Sequence, residues 1–415
     1  MSPFSPETWP FSLDLLPDEA CLVGGSVRDQ LLQRQASYLD LDFVLPSAAV
    51  ASASAIARAC GAGFVVLDDA RQIARVVFDH MTVDFAQQQG ESIEADLHRR
   101  DFTVNAIAYS PHRQTLIDPL GGKSDLSART IRMVSAENLA DDPLRLLRAY
   151  RQAAQLDFTL EPITQSVIAS LAPSLQTVSA ERIRSELDAL LSVGNASTPQ
   201  LTAVLQQQLL RSYLPQFTAA SLSQLSAMEA TFAQLENSWP EYAQRLKCWV
   251  KPVPAGFYRS WYKAAKLSCL LGCDSATASD QLNALKYSRQ ESQVVLTLLK
   301  TQPHIERLCL GKLTRSQQFF LFKDAGRAFP AVAFLALARG AEIALVKQLV
   351  AQYLDADDRV AHAQPLVTGT MLMKQLKLKP GPRMGKLLSA IEQAQAAGTI
   401  KTQSDAIAFA QSLTV

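Results

Sequence analysis

The fold is decided by one stretch of the sequence, Tyr38-Leu39-Asp40-Leu41-Asp42-Phe43-Val44-Leu45. Polar and apolar residues alternate in it, as in a strand with one face in a core, so Asp40 and Asp42 project to the same side. Mg²⁺ in proteins is commonly held by one or two carboxylates together with substrate phosphates. The stretch therefore indicates phosphoryl-transfer chemistry. The alternative is that both carboxylates simply lie on a solvent-exposed strand face, and the flanking motifs must decide between the two.

A glycine turn precedes this strand. Residues 20–23 predict a short strand, Gly24-Gly25 a tight turn, and residues 26–33 a helix. A strand, a glycine turn and a helix N-terminus together present backbone N–H groups to a phosphate. Glycine lets the backbone approach a ligand closely, and Arg28 adds a planar cation in the first turn. This segment is therefore a candidate phosphate-binding turn.

A third candidate carboxylate and a charged motif follow. Residues 81–86 predict a strand, which places Asp84 near the first two carboxylates if the strands are neighbours; an edge-strand charge is the alternative. Further on, Arg99-Arg100-Asp101 stands directly before an apolar run, which favours a cleft edge over surface ion pairs. We expect Asp101 to hold an arginine in place and Asn105 to donate to a sugar hydroxyl.

From residue 136 onward the pattern is helical. Asp142-Pro143 predicts the start of a helix that carries Arg145, Arg148 and Arg151. Arginines three residues apart stack on one flank and repel, so an anionic ligand is the expected compensation. Asp142 as acceptor and Arg145 as donor match the edge of a nucleobase; simple helix capping is the alternative for Asp142.

Length and charge set the broad class. A chain of 415 residues predicts two to four domains, and no secretory or membrane-spanning segment is evident, so a soluble, cytoplasmic protein is expected. Residues 1–239 contain 17 Lys and Arg against 27 Asp and Glu, and residues 240–415 contain 23 against 12. A basic second half suggests a polyanionic partner such as nucleic acid, with ordinary solvated helix faces as the alternative.

Two basic segments of that helical half are candidate RNA contacts. The first, residues 247–263, interleaves Lys with aromatic residues, among them Trp249, Trp261 and Tyr262; a buried core would give the same pattern. The second, residues 374–386, is broken by turn residues and leads into a helix whose N-terminus could grip a phosphate backbone.

Four motifs in a fixed order carry a family resemblance: Gly24-Gly25-Ser26-Val27-Arg28-Asp29, Asp40-x-Asp42, Arg99-Arg100-Asp101-Phe102-Thr103-Val104-Asn105-Ala106, and Asp141-Asp142-Pro143-Leu144-Arg145-x-x-Arg148-x-x-Arg151. This set resembles the class II tRNA nucleotidyltransferase and bacterial poly(A) polymerase family. The resemblance implies an α+β fold, in which a polymerase-β-like nucleotidyltransferase head is followed by an all-helical neck, body and tail. We expect the head at residues 1–130, the neck at 131–195, the body at 196–300 and the tail at 301–415.

The resemblance also implies roles for the motif residues. Asp40 and Asp42 would bind Mg²⁺ and, with Asp84 as a possible third carboxylate, form the catalytic set. The nucleotide-binding set would be Gly25, Arg28, Arg100, Asp142, Arg145, Arg148 and Arg151. In that set Asp142 and Arg145 pair with the base edge, so the protein itself serves as template.

The expected activity is addition of C and/or A residues to the tRNA 3′ end from CTP and ATP, with no stable protein partner. A poly(A) polymerase, a catalytically silent tRNA-binding protein and a nucleotidyltransferase acting on a small molecule are the alternatives. Residues 67–77 stand where the family has a flexible loop linked to the switch from C to A addition. Their sequence differs from that of family members that add the full CCA, so addition of only part of the CCA is an alternative. In the neck motif, Asp141 replaces the usual Glu.

Overall fold

The computed structural model describes residues 3–34, 38–193, 197–247, 249, 259–377 and 381–413. The chain divides into two compact units, Met1–Ser212 and Tyr213–Val415. The first contains all the strands found among the described residues, and the second is helical there. The predicted α+β class, a sheet-bearing head followed by helices, is thereby confirmed. The four-part division into head, neck, body and tail stays a prediction.

The strands of the first unit are β1 (Cys21–Val23), β2 (Leu39–Leu45), β3 (Gly63–Asp68), β4 (Ile73–Val77), β5 (Met81–Gln87), β6 (Ala108–Ser110), β7 (Thr115–Ile117), β8 (Thr130–Ile131) and β9 (Thr159–Leu160). Seven of them form one sheet in the order β3-β4-β5-β2-β1-β6-β7, and β8 pairs with β9 separately. In the large sheet β2 and β5 are parallel, and the other neighbours are antiparallel.

The helices of the first unit are α1 (Gly25–Leu31), α2 (Ala49–Cys60), α3 (Ile93–Leu97), α4 (Gly122–Ser127), α5 (Ala136–Asp141), α6 (Leu144–Leu156), α7 (Pro162–Leu171), α8 (Ala180–Ser192) and α9 (Ser197–Gln206). Helix α2 buries Ala49, Ala53, Ile56 and Ala57, which recur at helical spacing, against β3, β4 and β5. It therefore covers one face of the sheet.

The alternating pattern of β2 sets which face is covered. Leu39, Leu41 and Phe43 are buried, whereas Asp40 is exposed and Asp42 is half-buried. Phe43 packs edge-on against Trp9 at 5.2 Å between ring centroids and stacks with Phe85 at 5.6 Å. Because this aromatic cluster fixes the buried face of β2, the two carboxylates are held on the opposite face.

A short turn joins β3 to β4. Only residues 69–72 separate the two strands, and Gln72 adopts a positive φ of 52°. The Asp68 carboxylate accepts a hydrogen bond of 3.0 Å from the backbone N–H of Arg71, and the Gln72 amide donates to the Asp69 carbonyl at 2.8 Å. The chain therefore reverses here through a hydrogen-bonded turn and forms no extended loop.

The helices of the second unit are α10 (Ala219–Ser238), α11 (Pro240–Lys247), α12 (Trp261–Ser268), α13 (Ser275–Ala284), α14 (Arg289–Lys300), α15 (Gln302–Cys309), α16 (Arg315–Ala325), α17 (Phe329–Ala338), α18 (Ile343–Leu354), α19 (Gly369–Leu376), α20 (Pro382–Ala397) and α21 (Gln403–Ser412). Residues 329–336 of α17 are all buried, so this helix lies at the centre of the core of this unit. Among the residues described, no helix is both long enough and apolar enough to cross a membrane.

The prediction of RNA contacts around residue 261 is wrong. Trp261, Tyr262 and Lys263 are only 8%, 4% and 3% exposed. Tyr262 packs between Phe232 and Phe334, so its ring belongs to the core and cannot stack on a base. Within the same stretch, residues 248, 250–258 lie outside those described, as do residues 378–380 of the second basic segment.

Candidate active site

The register of the sheet assembles a polar row around the two carboxylates. Asp42 of β2 lies opposite Asp84 of β5, and Asp84 lies opposite Arg75 of β4. One step along, Asp40 lies opposite Thr82, whose hydroxyl donates a hydrogen bond to the Asp40 carboxylate. Residues opposite each other on neighbouring strands share a face, so all five side chains stand on the side of the sheet away from α2.

Asp84 occupies the predicted place beside Asp42, and a cation holds it there. Arg75 donates from Nε and Nη2 to the two oxygens of Asp84 at 2.6 and 2.7 Å, which is the bidentate geometry of strong arginine–carboxylate pairs. This hydrogen bond raises the pKa of Arg75. The pair shows that Asp84 orients an arginine at the site; its role as a third catalytic carboxylate stays a prediction.

The environment of Asp42 suits a cation. Burial, followed by the nearby charges of Asp40 and Asp84, raises the pKa of Asp42 to about 7, although Arg100 and Arg75 act in the opposite direction. The Asp40 and Asp42 carboxylates stand on one face of β2, and oxygen donors crowded together in this way fit a hard divalent ion. Across the described residues no group of three or more His, Cys, Asp or Glu side chains is arranged to hold a metal.

A polar cleft of about 480 Å³ lies beside these carboxylates. Six of the seven predicted nucleotide-binding residues line it: Gly25, Arg28, Arg100, Arg145, Arg148 and Arg151. Asp42 borders it at Gly24, where a Cβ atom would lie 3.3 Å from the Asp42 carboxylate and 3.5 Å from the Arg100 guanidinium. Gly24 has a φ of +76°, so both its conformation and this close approach favour glycine.

Arg28 is held at the cleft by two side chains. Its Nε donates to Asp29 at 2.9 Å, and its Nη1 donates to the Asn105 oxygen at 2.8 Å. The Asn105 amide nitrogen in turn donates to Asp101 at 2.9 Å and Gln152 at 3.0 Å. The expectation that Asn105 serves a sugar hydroxyl is therefore not met, because this buried amide is already paired on both sides and acts as a support for Arg28.

Arg100 has one hydrogen-bond donor without a partner among the described residues. Asp96 accepts from its Nη2 at 3.1 Å, but its Nε is buried and has no partner among the described residues. A buried unpaired donor costs free energy, and such groups in native structures usually point to a ligand, water or ion. An anionic oxygen in the cleft would satisfy Arg100, as predicted for a triphosphate.

Arg148 and Arg151 share a carboxylate that the sequence motifs do not include. Glu186 of α8 is buried and accepts from Arg148 Nε at 3.1 Å and from Arg151 Nε. Asp101 also accepts from Arg148 at 3.4 Å, which confirms that Asp101 holds an arginine. Burial lowers the pKa of Arg148, but Asp101 and Glu186 outweigh it and raise the pKa. The protein itself thus supplies the anions that the arginine row requires.

Asp142 and Arg145 are both engaged by protein partners. Asp142 accepts from the Arg182 guanidinium at 2.8 Å and from the Leu144 backbone N–H at 3.3 Å, so the predicted capping contact exists. Burial opposes ionisation of Asp142, but the hydrogen bond and charge of Arg182, the Leu144 N–H and the charge of Arg148 together outweigh it and lower the pKa of Asp142. Arg145 donates to the carbonyl oxygens of Asn138 at 2.8 Å and Arg99 at 3.3 Å. Their pairing with a base edge stays a prediction.

The seven-stranded head sheet, the carboxylate pair and the cationic cleft define a nucleotidyltransferase. Residues 20–132 match the model for the poly A polymerase head domain, and residues 157–220 match that for the probable RNA and SrmB-binding site of polymerase A. Residues 260–410 match the model for the putative second domain of tRNA nucleotidyltransferases. The chain belongs to the tRNA nucleotidyltransferase family, whose members use divalent metal ions, and the predicted resemblance is confirmed.

Individual relatives differ in the nucleotides they add. The chain is 45% identical to a CC-adding tRNA nucleotidyltransferase of Synechocystis, over 97% of this chain and 96% of the relative. It is 33% identical to an A-adding tRNA nucleotidyltransferase of Deinococcus radiodurans, over 95% of each chain. The fold is that of a Thermotoga maritima CCA-adding enzyme solved with tRNA, with a TM-score of 0.66, 21% identity and coverage of 95% of this chain and 91% of the other.

We predict that Asp42→Asn stabilises the metal-free protein at alkaline pH. The pKa of Asp42 is about 7 in the folded state against 3.8 for a free carboxyl, so folding stability is lost as pH rises between these values. At pH 8 in a chelator, the variant should have a free energy of unfolding higher by on the order of 2 kcal/mol. Below pH 4 the variant and the wild-type protein should have the same free energy of unfolding. Urea unfolding at both pH values, with the exposed Asp141→Asn as control, measures this.

Glu186→Gln should be costly, because it leaves two arginines at the cleft without their shared carboxylate. Removing one partner of a buried charge cluster costs roughly 3 kcal/mol, measured as the free energy of unfolding in urea. The KM for CTP should also rise, since Arg148 and Arg151 lose their orientation. The control is Glu181→Gln, an exposed residue of the same helix, which should leave both quantities unchanged. Equal behaviour of the two variants would contradict the assigned role.

Proposed function

We propose that this enzyme adds the two C residues of the 3′-terminal CCA to tRNA and stops there. The observation that carries the proposal is the turn between β3 and β4. Residues 67–77 stand where the family has a flexible loop linked to the switch from C to A addition, and here they form the end of β3, the turn of residues 69–72 and β4. Hydrogen bonds from Arg71 and Gln72 close this turn tightly. A chain without the switching element is expected to retain C addition and lack A addition.

The similarity to a CC-adding relative at 45% identity supports the same reading. A poly(A) polymerase, which would use ATP alone, is not favoured, because the identity with CC-adding enzymes extends over nearly the whole chain. With tRNA and nucleoside triphosphates as its substrates, the enzyme is proposed to work in the cytoplasm. The A residue would then be added by a second enzyme.

The cleft residues would bind and orient CTP. Arg100 presents its guanidinium group beside Gly24 and Arg28 presents its own beside Gly25. Because the Arg100 Nε has no partner among the residues that the structure describes, we place the triphosphate against these two arginines. Arg148 and Arg151, fixed by Glu186, extend the positive charge along the cleft. Attack by the tRNA 3′-hydroxyl oxygen on the α-phosphorus forms one phosphodiester bond and releases pyrophosphate and a proton. Positioning of the two substrates is the chief task of these residues.

Asp40 and Asp42 would hold Mg²⁺, the divalent ion proposed for this site. When bound, Mg²⁺ lowers the pKa of an attacking hydroxyl and neutralises charge on the leaving phosphate. The contribution of the chain is to keep both carboxylates on one face of β2 and to orient Asp40 through the Thr82 hydroxyl. A hydrogen bond to a ligating carboxylate fixes the direction in which that carboxylate points.

Primer extension tests the proposal directly. Purified protein, Mg²⁺ and tRNA transcripts that end before CCA, after one C or after CC are combined with CTP, ATP or both, and products are resolved to single nucleotides. We expect addition of two, one and no C residues respectively, with no added A in any mixture. Completion to CCA would contradict the proposal, and long A tails would make the chain a poly(A) polymerase.

Asp40→Ala serves as the control that links the activity to this site. The exposed Asp40 carboxylate has no core role, so the variant should fold and still bind tRNA in a gel-shift assay. Extension should fall by roughly a thousandfold or more, as expected when a metal-binding carboxylate is removed. Retained extension would exclude Asp40 from the reaction.

A further inference from the structure

An exposed apolar surface continues from the carboxylates to the edge of the sheet. Val77 of β4 lies opposite Thr82, and Val65 of β3 lies opposite Arg75, so both valines share the face of Asp40 and Asp84. Val65 is 48% exposed and Val77 is 41% exposed. We call Val65, Val77 and the intervening Arg75 the β3–β4 platform. Its valines are adjacent to a reactive site and are not covered by the rest of this unit.

The geometry of the reaction gives this side of the sheet a role. The cationic cleft for the nucleoside triphosphate borders Asp42 at Gly24, which follows β1, and β1 neighbours β2 on one side. In phosphoryl transfer the attacking oxygen and the leaving oxygen lie roughly in line across the phosphorus. The leaving pyrophosphate belongs in the cleft with the arginines. The attacking 3′-hydroxyl must therefore reach the carboxylates from the other side of β2, where β5, β4 and β3 follow in order.

The chemistry of the platform fits the end of a polynucleotide. Arg75 uses Nε and Nη2 to hold Asp84, and Nη1 takes no part in that pair. A guanidinium that is anchored in this way can still bind a phosphate oxygen, and it is already oriented by Asp84. Val65 and Val77 offer flat apolar area beside it, on which a ribose or base can rest without a directional contact.

We infer that the β3–β4 platform seats the last nucleotide of the RNA acceptor, with its phosphate on Arg75 and its sugar or base on Val65 and Val77. The inference rests on the proposed function, because it concerns the second substrate of the same reaction. Arg75, Val65 and Val77 are then positioning residues for the acceptor. They are not residues for the nucleoside triphosphate.

Adjacent residues of one strand give a matched test. Val66 is exposed to a similar extent, 42%, but lies opposite Ala74 on the other face of the sheet. In extension of a tRNA ending before CCA, Val65→Ser should raise the KM for tRNA roughly tenfold and leave the KM for CTP unchanged. Val66→Ser should behave as wild type in both. Arg75→Met should likewise raise the KM for tRNA. Arg71→Met, which alters an exposed arginine of the neighbouring turn, is its control and should leave that KM unchanged.

A photo-cross-link gives a readout independent of activity. A benzophenone amino acid is placed at position 65 or 66, and the protein is irradiated with tRNA labelled at its 3′ end. Cross-linking at the last nucleotide from position 65, with none from position 66, is the expected result. If wild-type protein adds two C residues and no A, but both positions cross-link alike and both serine variants keep the wild-type KM, the platform is overturned while the proposed function stands.

Failure of the proposed function would look different, since the wild-type protein would then extend no tRNA, complete the CCA or add long A tails. A further outcome also overturns the platform. If Val65→Ser changes the mass of the protein in solution, measured by light scattering, without changing the KM for tRNA, the exposed valines form an interface between copies of the chain.

Discussion

Mutual repulsion between Asp40 and Asp42 on one face of β2 is the constraint around which the first unit is built. The buried face of the same strand is pinned by Phe43 against Trp9 and Phe85, so the carboxylates cannot rotate away from each other. Their charge is met from two directions, by Arg100 on the cleft side and by Arg75 on the side of β4. Neither arginine is free to neutralise them fully, because Asp96 holds the first and Asp84 holds the second. The residual negative potential is what a divalent cation would satisfy.

The cleft shows the corresponding arrangement of charges, in which crowded arginines are held by carboxylates. Arg148 and Arg151 lie three residues apart on α6, and the repulsion between them is compensated by Glu186 and Asp101. Fixed arginines lose less rotamer entropy when they bind an anion than free ones would. The cluster therefore favours a triphosphate through preorganisation, although part of its charge is already neutralised within the protein.

Local patterns were enough to predict the strand, its two carboxylates and the glycine turn, since each depends on neighbouring residues of the sequence. The partners that complete the site lie far apart in the chain and carry no local signature. Glu186 stands 38 residues beyond Arg148 and looks like an ordinary acidic residue within a helix. Arg75 becomes a partner of Asp84 only through the register of β4 and β5. Likewise, the aromatic and basic pattern near Tyr262 is shared by RNA-binding surfaces and by cores, and only packing against Phe334 distinguishes them.

The two sides of the carboxylate pair differ in a way that suits the addition of successive residues. The cleft side is built from directional donors held in place by buried acceptors, which favours one orientation of one nucleotide. The β3–β4 platform offers one guanidinium and apolar area, and apolar contacts are non-directional. After each transfer the lengthened RNA end must move back by one nucleotide while the triphosphate site stays unchanged. A surface that contacts sugar and base without fixed hydrogen bonds permits that movement, whereas a second set of directional contacts would hold the product in place.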